Sequence, residues 1–341
     1  MNPTVSDRFR RPLSSLRVSV TDRCNLRCQY CMPEADYAWL PKSDILTFDE
    51  LVRLVQVFVR LGVDRVRLTG GEPLLRRDLA TLVGLLSHVH GIADLALTTN
   101  GVLLADYVDS LRAAGLSRIT VSLDTLDRET FARLTRADEL PRVRAGMAAA
   151  ASAFPNFKID TVVVRGVNDF EVPALVDEAR RLGAEIRFIE YMDVGGATAW
   201  TPAQVVSRDE LLAQLGREFG AVTPIASAPS APADRFQLPG GQVVGIIAST
   251  TTPFCAQCDR SRLTADGLWY LCLYGTAGID LRSALRGGAS ADDLAALVTR
   301  TWQGRQDRGA EDRLSSRDRG VFVPATTLRH NPHLEMHTKG G

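Results

Sequence analysis

The sequence predicts an α/β fold, an open, partial (βα)6 barrel of the TIM type followed by a second, smaller unit. Three observations carry this reading. Six strand-like runs alternate with amphipathic helical patterns over residues 1–195. That rhythm stops at about residue 196. The 341 residues, 45% of them apolar, can bury a full core as one large α/β domain or two smaller ones.

The first strand is read at LRVSV (16–20), where Arg17, Ser19 and Thr21 alternate with Val18 and Val20. Such a polar face is out of place on a buried strand unless it lines a cavity. In FDELVRLVQVFVRLG, the residues Leu51, Leu54, Val55 and Phe58 share one face of a helix. The remaining strands are VDRVRLTG (63–70), ADLALTTNG (93–101), SRITVSLD (117–124), FKIDTVVVRG (157–166) and AEIRFIEYM (184–192). Six βα units are too many for a simple dinucleotide-binding half and too few for a closed eight-stranded barrel.

Ligands are then expected at the C-terminal strand ends. Those ends carry a cysteine loop after the first strand, TGGEP after the second and TTNG after the third. Ser122 and Asp124 end the fourth, and Glu190 and Met192 end the sixth. Gly70 and Gly71 permit close backbone approach, with Glu72 as an acceptor beside them. Taken in isolation, the motif reads as an ordinary Gly-Gly turn with a solvated Glu. Residues 196–240 hold the helix-like SRDELLAQLGREFG and the loose connector PIASAPSAPAD. Residues 241–341 form the second unit, in which Asp266-Gly267 marks a hairpin within FCAQCDRSRLTADGLWYLCLY.

Forty basic side chains balance forty acidic ones, so no broad electrostatic footprint for nucleic acid or an anionic membrane exists. An anionic ligand must be met by local arginines. MNPTVSDRFRRP has no apolar targeting core and no run of about 18 apolar residues occurs, so a cytoplasmic chain without a membrane span is expected.

All six cysteines fall into two triads, Cys24, Cys28 and Cys31 spaced C-x3-C-x2-C, and Cys255, Cys258 and Cys272 spaced C-x2-C-x13-C. In a reducing compartment such clusters are metal ligands or catalytic groups more often than disulfides. A structural zinc site closes with four ligands, so three thiols leave a coordination position open. A zinc knuckle or a redox thiol cluster remains the competing reading of the first triad. Structural zinc closed by a histidine competes for the second, although the five histidines (88, 90, 330, 333, 337) all lie outside its hairpin.

The first triad within SVTDRCNLRCQYCMP, together with TGGEPLLRRDL, LTTNG and VSLD, resembles the radical S-adenosylmethionine (SAM) superfamily. With the second triad the chain resembles the GTP 3′,8-cyclases, the molybdenum cofactor biosynthesis protein A family. The likeness runs from LRVSVTDRCN through EIRFIEYMDVG and FCAQCDRSRLTADG to the final Gly-Gly. It implies two [4Fe-4S] clusters, one per triad, and a C-terminal iron–sulfur domain closing the open side of the barrel. SAM would occupy the open iron on Cys24, Cys28 and Cys31, with Tyr30, Gly71, Ser122 and Met192 as further contacts. The guanine of GTP would meet the open iron on Cys255, Cys258 and Cys272. GTP contacts carried over are Arg17, Arg67, Thr98, Lys158, Arg260, Ser261 and Arg262, and catalytic roles fall to Arg260, Arg262, Gly340 and Gly341.

The resemblance implies one-electron cleavage of SAM, removal of hydrogen from C3′ of GTP and attack of that carbon on C8 of the guanine. It also implies an external electron donor, a homodimer, and cyclic pyranopterin monophosphate synthase as the downstream partner. No G-x-x-x-x-G-K-[ST] loop exists here, so a triphosphate must be held by side-chain cations, and Arg260 and Arg262, two apart beside Cys258, project to one side of an extended segment. Lys158 lies early in its strand, away from the expected rim. Lys339 stands where family members commonly carry an apolar residue, which leaves open whether HTKGG docks or frays. Two other readings stay open, a radical SAM enzyme that modifies a peptide and a non-catalytic iron–sulfur carrier or zinc scaffold. The single auxiliary triad and the Arg260/Arg262 pair favour a nucleotide.

Overall fold

The computed structural model describes residues 4–34 and 36–341. The six expected βα units are present, with strands β1 (Ser15–Ser19), β2 (Arg65–Thr69), β3 (Asp94–Thr99), β4 (Arg118–Ser122), β5 (Lys158–Val163) and β6 (Glu185–Glu190). The remaining strands are β7 (Thr223–Ile225), β8 (Asp234–Gln237), β9 (Val243–Ile247), β10 (Arg260–Leu263), β11 (Leu268–Tyr270) and β12 (Ile279–Asp280). All belong to one mixed sheet in the order β12-β11-β10-β1-β2-β3-β4-β5-β6-β9-β8-β7. The parallel run therefore extends beyond the six strands expected, because β10 pairs parallel with β1 and β9 pairs parallel with β6. VVGII at β9 is a short, wholly apolar run without alternation, the pattern of a strand covered on both faces. Among the described residues no helix is long and apolar enough to cross a membrane.

Local chemistry explains the helices. Thr47 and Glu50 close a capping box on the helix Phe48–Arg60, which buries Leu51, Leu54, Val55 and Phe58 as the periodicity requires. Ser207 and Glu210 do the same for Arg208–Phe219. Past that helix, part of the expected loose connector forms the edge hairpin β7–β8. Asp266-Gly267 turns β10 into β11, with Gly267 at φ +87°.

Strand alternation gives the sheet two chemically different faces. Leu16 and Val18, Val66 and Leu68, Ile119 and Val121, and Ile186 and Phe188 belong to the main apolar core. Their neighbours of opposite parity are polar, among them Arg17, Arg67, Thr98, Asp160 and Arg187, and they line a cavity. The polar alternation on the first strand thus marks the inner face of the whole sheet.

Candidate active site

The cavity, of about 430 Å3, is of small-molecule size and is lined by all six cysteines. Topology separates the two triads. Cys24, Cys28 and Cys31 follow the C-terminal end of β1, whereas Cys255 and Cys258 precede β10, which runs parallel to β1. Cys272 follows β11, which runs antiparallel to β10, and so returns to the same end as Cys258. The expectation that the chemistry gathers at the C-terminal strand ends therefore holds for the first triad only. The second triad sits at the opposite end, because its strand joins the sheet edge beside β1.

The first cysteine loop is zipped to the Gly-Gly loop. Gly71 N–H donates to the Thr21 carbonyl (2.9 Å) and Glu72 N–H to the Arg23 carbonyl (2.7 Å). A Cβ on Gly70, whose φ is +145°, would lie 2.3 Å from the Thr21 carbonyl oxygen, and one on Gly71 would lie 2.3 Å from that of Arg23. The glycines are required by the approach of the protein's own backbone. Gly70→Ala is expected to cost at least about 1–3 kcal/mol in backbone strain alone, read as a lowered midpoint of thermal or denaturant unfolding. An unchanged midpoint would show that the two loops separate freely.

Two carboxylates expected at the rim are internal braces instead. Glu72 is neither solvated nor turned to the cavity; it accepts from Thr99 Oγ1 (2.7 Å), Asn100 N–H (2.7 Å) and Leu74 N–H (3.0 Å), tying β2 to β3. Glu190 is fully buried and accepts from the backbone N–H groups of Arg208, Thr250 and Thr251. Asp124 accepts from Tyr30 Oη (2.7 Å) and Val162 N–H (2.8 Å), and burial raises its carboxyl to about 6. Tyr30 is thereby anchored at the cavity wall; Ser122 and Gly71 line the same space, as does Met192, which packs in the cluster that includes Cys255 and Cys272.

The arginines form a row that the strand register creates. Arg262 on β10 is the Cα partner of Arg17 on β1, and Arg17 is the partner of Arg67 on β2. Arg260 lines the same cavity and stacks over Phe254 at 4.5 Å. Among the described residues none of these four guanidiniums has an ion pair. Enclosure and mutual repulsion lower Arg17 well below its ordinary value; enclosure first, then Arg260, brings Arg262 to about 10. Arg67, lowered to about 10 mainly by enclosure, donates to Thr98 Oγ1 (2.9 Å) and Thr120 Oγ1 (3.1 Å). Asp160 opposes these shifts on Arg17 and Arg67, and sequence reading missed it. The period-2 argument made for the first strand, applied to β5 and β6, would have found both Asp160 and Arg187.

Three other expected residues sit differently. Ser261, of opposite parity to Arg260 and Arg262, points away from the cavity and is fully buried, its Oγ without a partner. Only its main chain can face a ligand bound between the arginines. Lys158 lines an adjoining cavity that shares Arg118 and Arg187 with the first, and it donates to Glu185 at 3.2 Å. The C-terminal segment docks. Ser19 Oγ donates to the Thr338 carbonyl (2.9 Å), and Arg262 and Arg17 donate to the Gly340 carbonyl (2.9 and 3.3 Å). Lys339 is accommodated because its ammonium donates to the carbonyls of Gly275 (2.7 Å) and Leu273 (3.2 Å) and lies over the Tyr270 ring.

All six thiols are free and half-buried. All six line one cavity, so each triad turns thiols to an enclosed space, and a four-iron cube bonds each of three thiolates to a different iron. Burial raises Cys24 to about 11 and Cys272 to about 11; at Cys258 burial is outweighed by Arg260 and Arg305, leaving the thiol at about 7.

Residues 18–179 match the family model of the Radical SAM superfamily, and residues 184–311 match Molybdenum Cofactor Synthesis C. The chain is 55% identical over 342 aligned residues to GTP 3′,8-cyclase 1 of Mycobacterium tuberculosis, covering 99% of this chain and 95% of that one. The chain belongs to the GTP 3′,8-cyclase family. Further members are 46% identical in Acidothermus cellulolyticus (93% of this chain, 91% of the relative) and 43% identical in Aquifex aeolicus (89% and 93%). Among solved structures, Streptococcus suis SuiB bound to S-adenosylmethionine superposes with a TM-score of 0.58 at 13% identity, over 96% of this chain and 70% of that one. That likeness is one of fold.

Proposed function

We propose that this enzyme is a radical SAM GTP 3′,8-cyclase, converting GTP to (8S)-3′,8-cyclo-7,8-dihydroguanosine 5′-triphosphate in the first step of molybdenum cofactor biosynthesis. The observation that carries the reading is the row of enclosed arginines, without ion pairs among the described residues, set in one cavity between two cysteine triads. Enclosed cations that repel one another are stabilised by an anion, and a planar fork suits phosphate oxygens. Iron–sulfur clusters on the two triads, together with SAM, supply the one-electron chemistry when bound.

The chain's own residues position and enclose. The sheet curls as a partial barrel over residues 1–195, residues 196–240 connect, and residues 241–341 cover the open side. Tyr30, held by Asp124, and Ser122, Met192 and Gly71 form the SAM end beside Cys24, Cys28 and Cys31. Arg17, Arg67, Thr98, Arg260 and Arg262 hold the nucleotide, and the outer phosphates extend toward Lys158 in the adjoining cavity, where Arg118, Arg187 and Arg235 add positive charge. The docked tail, through Met336, His337 and Gly341, completes the wall and excludes water from a reaction in which stray hydrogen donors are harmful. The electron comes from an external donor, and the chain acts in the cytoplasm.

Anaerobic incubation with GTP, SAM and dithionite, followed by mass spectrometry of the nucleotide, tests this. An isomer of GTP accompanied by 5′-deoxyadenosine is expected, and unaltered GTP with no 5′-deoxyadenosine would sink it. Arg260→Ala or Arg262→Ala removes charge-assisted hydrogen bonds worth roughly 1.5–3 kcal/mol, about a ten- to hundredfold loss in GTP affinity with iron content unchanged. A calorimetric titration giving parental affinity for both would return these side chains to a structural role.

A further inference from the structure

Behind the second triad lie two buried guanidiniums that no sequence motif singles out. Arg11 precedes β1, Arg305 follows the helix Ala291–Gln303, and each is 2% exposed. Arg11 Nη1 donates to the carbonyls of Cys255 (2.9 Å) and Asp307 (2.8 Å), while its Nε donates to Asp7 (2.5 Å). Arg305 Nη1 donates to the Cys258 carbonyl (2.9 Å), and its Nε and Nη2 grip the Asp307 carboxylate at 2.9 and 3.1 Å. Its plane lies over the Trp302 ring at 4.4 Å. Two elements far apart in sequence therefore clamp the peptide units of two cysteines of one triad.

Of the two, Arg305 alone joins a cysteine carbonyl of the triad to both oxygens of one carboxylate. We infer that Arg305 is a positioning residue of the second triad, holding the Cys258 peptide in place and keeping a buried positive charge one hydrogen bond from that ligand's carbonyl. It thereby sets the iron retention and the reduction potential of the cluster bound there. This rests on the reading that the triad holds a cluster. The physical basis is general. Groups that orient and hydrogen-bond a ligand govern metal retention, and positive charge near thiolates stabilises the added electron and raises the potential. A fork is needed because one group serves a carbonyl and both oxygens of a carboxylate at once, which a lysine cannot do.

The test uses the full-length chain with Cys24, Cys28 and Cys31 replaced by alanine, so that bound iron belongs to the second triad. Arg305→Gln should move the midpoint of an EPR-monitored redox titration to lower potential and weaken iron retention against a chelator about ten- to hundredfold. Arg305→Lys keeps the charge and should recover most of the midpoint while still losing iron faster than the parent. If Arg305→Gln does not fold, the iron retention of Arg305→Lys decides, and a parental value overturns the inference. Parental midpoint and retention in both variants overturn it as well. A parent that takes up no iron would instead bring down the two-cluster reading, and this inference with it.

Discussion

Cys24→Ala, Cys28→Ala or Cys31→Ala should abolish both SAM cleavage and GTP cyclisation, whereas Cys255→Ala, Cys258→Ala or Cys272→Ala should keep some uncoupled SAM cleavage and lose cyclisation. The separation follows from topology. The first triad lies at the C-terminal end of β1 near Tyr30 and Ser122, and the second lies at the other end of the same cavity near Arg260 and Arg262. Removing one thiolate from three leaves a cube without adequate ligation, so each set should lose its own cluster. Anaerobically reconstituted parent should hold about eight irons per chain, and each mutant set about four. Iron analysis with quantification of 5′-deoxyadenosine and of cyclised nucleotide reads all three quantities. Equal loss of both activities in both sets would count against divided roles, and stoichiometric zinc in the parent would refute the clusters.

Deleting Gly340 and Gly341 should leave fold and iron content intact, keep measurable GTP binding, and remove most cyclisation. The Gly340 carbonyl accepts from both Arg17 and Arg262, so the tail is seated on the arginines assigned to the nucleotide. Bare backbone is demanded there. Gly340 has φ +67°, and a Cβ on it would lie 2.3 Å from Thr69 Cγ2. Because Thr338 and Lys339 keep their own hydrogen bonds to Ser19, Leu273 and Gly275, the truncated segment remains docked up to its last residues. The loss should resist excess GTP, since the missing element organises the reacting complex more than it binds the ground state. Full turnover by the truncated chain, measured as product per enzyme at saturating GTP, would show that the docked tail has no part in the reaction.

Much of this architecture was legible in the residues. The six βα units, the hairpin at Asp266-Gly267 and the polar face of the first strand all stand where periodicity and turn chemistry put them. These features are local, because alternation along a strand and the 3.6-residue helical repeat are properties of the chain's own geometry. Other features had no local signal. Nothing in RSRL says that β10 pairs in parallel with β1, yet that pairing sends the second triad to the opposite end of the cavity. It also sets Arg262, Arg17 and Arg67 in register across adjacent strands. Glu72 and Glu190 look like rim acceptors in sequence and become internal braces once neighbouring loops supply backbone donors. Lys339 looks unsuited to a buried tail until two carbonyls and the Tyr270 ring meet it. The sequence by itself determined which segments are strands and helices and which side chains share a face. The tertiary structure alone decided which of those faces meet, because a strand's partner is chosen by burial and hydrogen bonding among segments hundreds of residues apart.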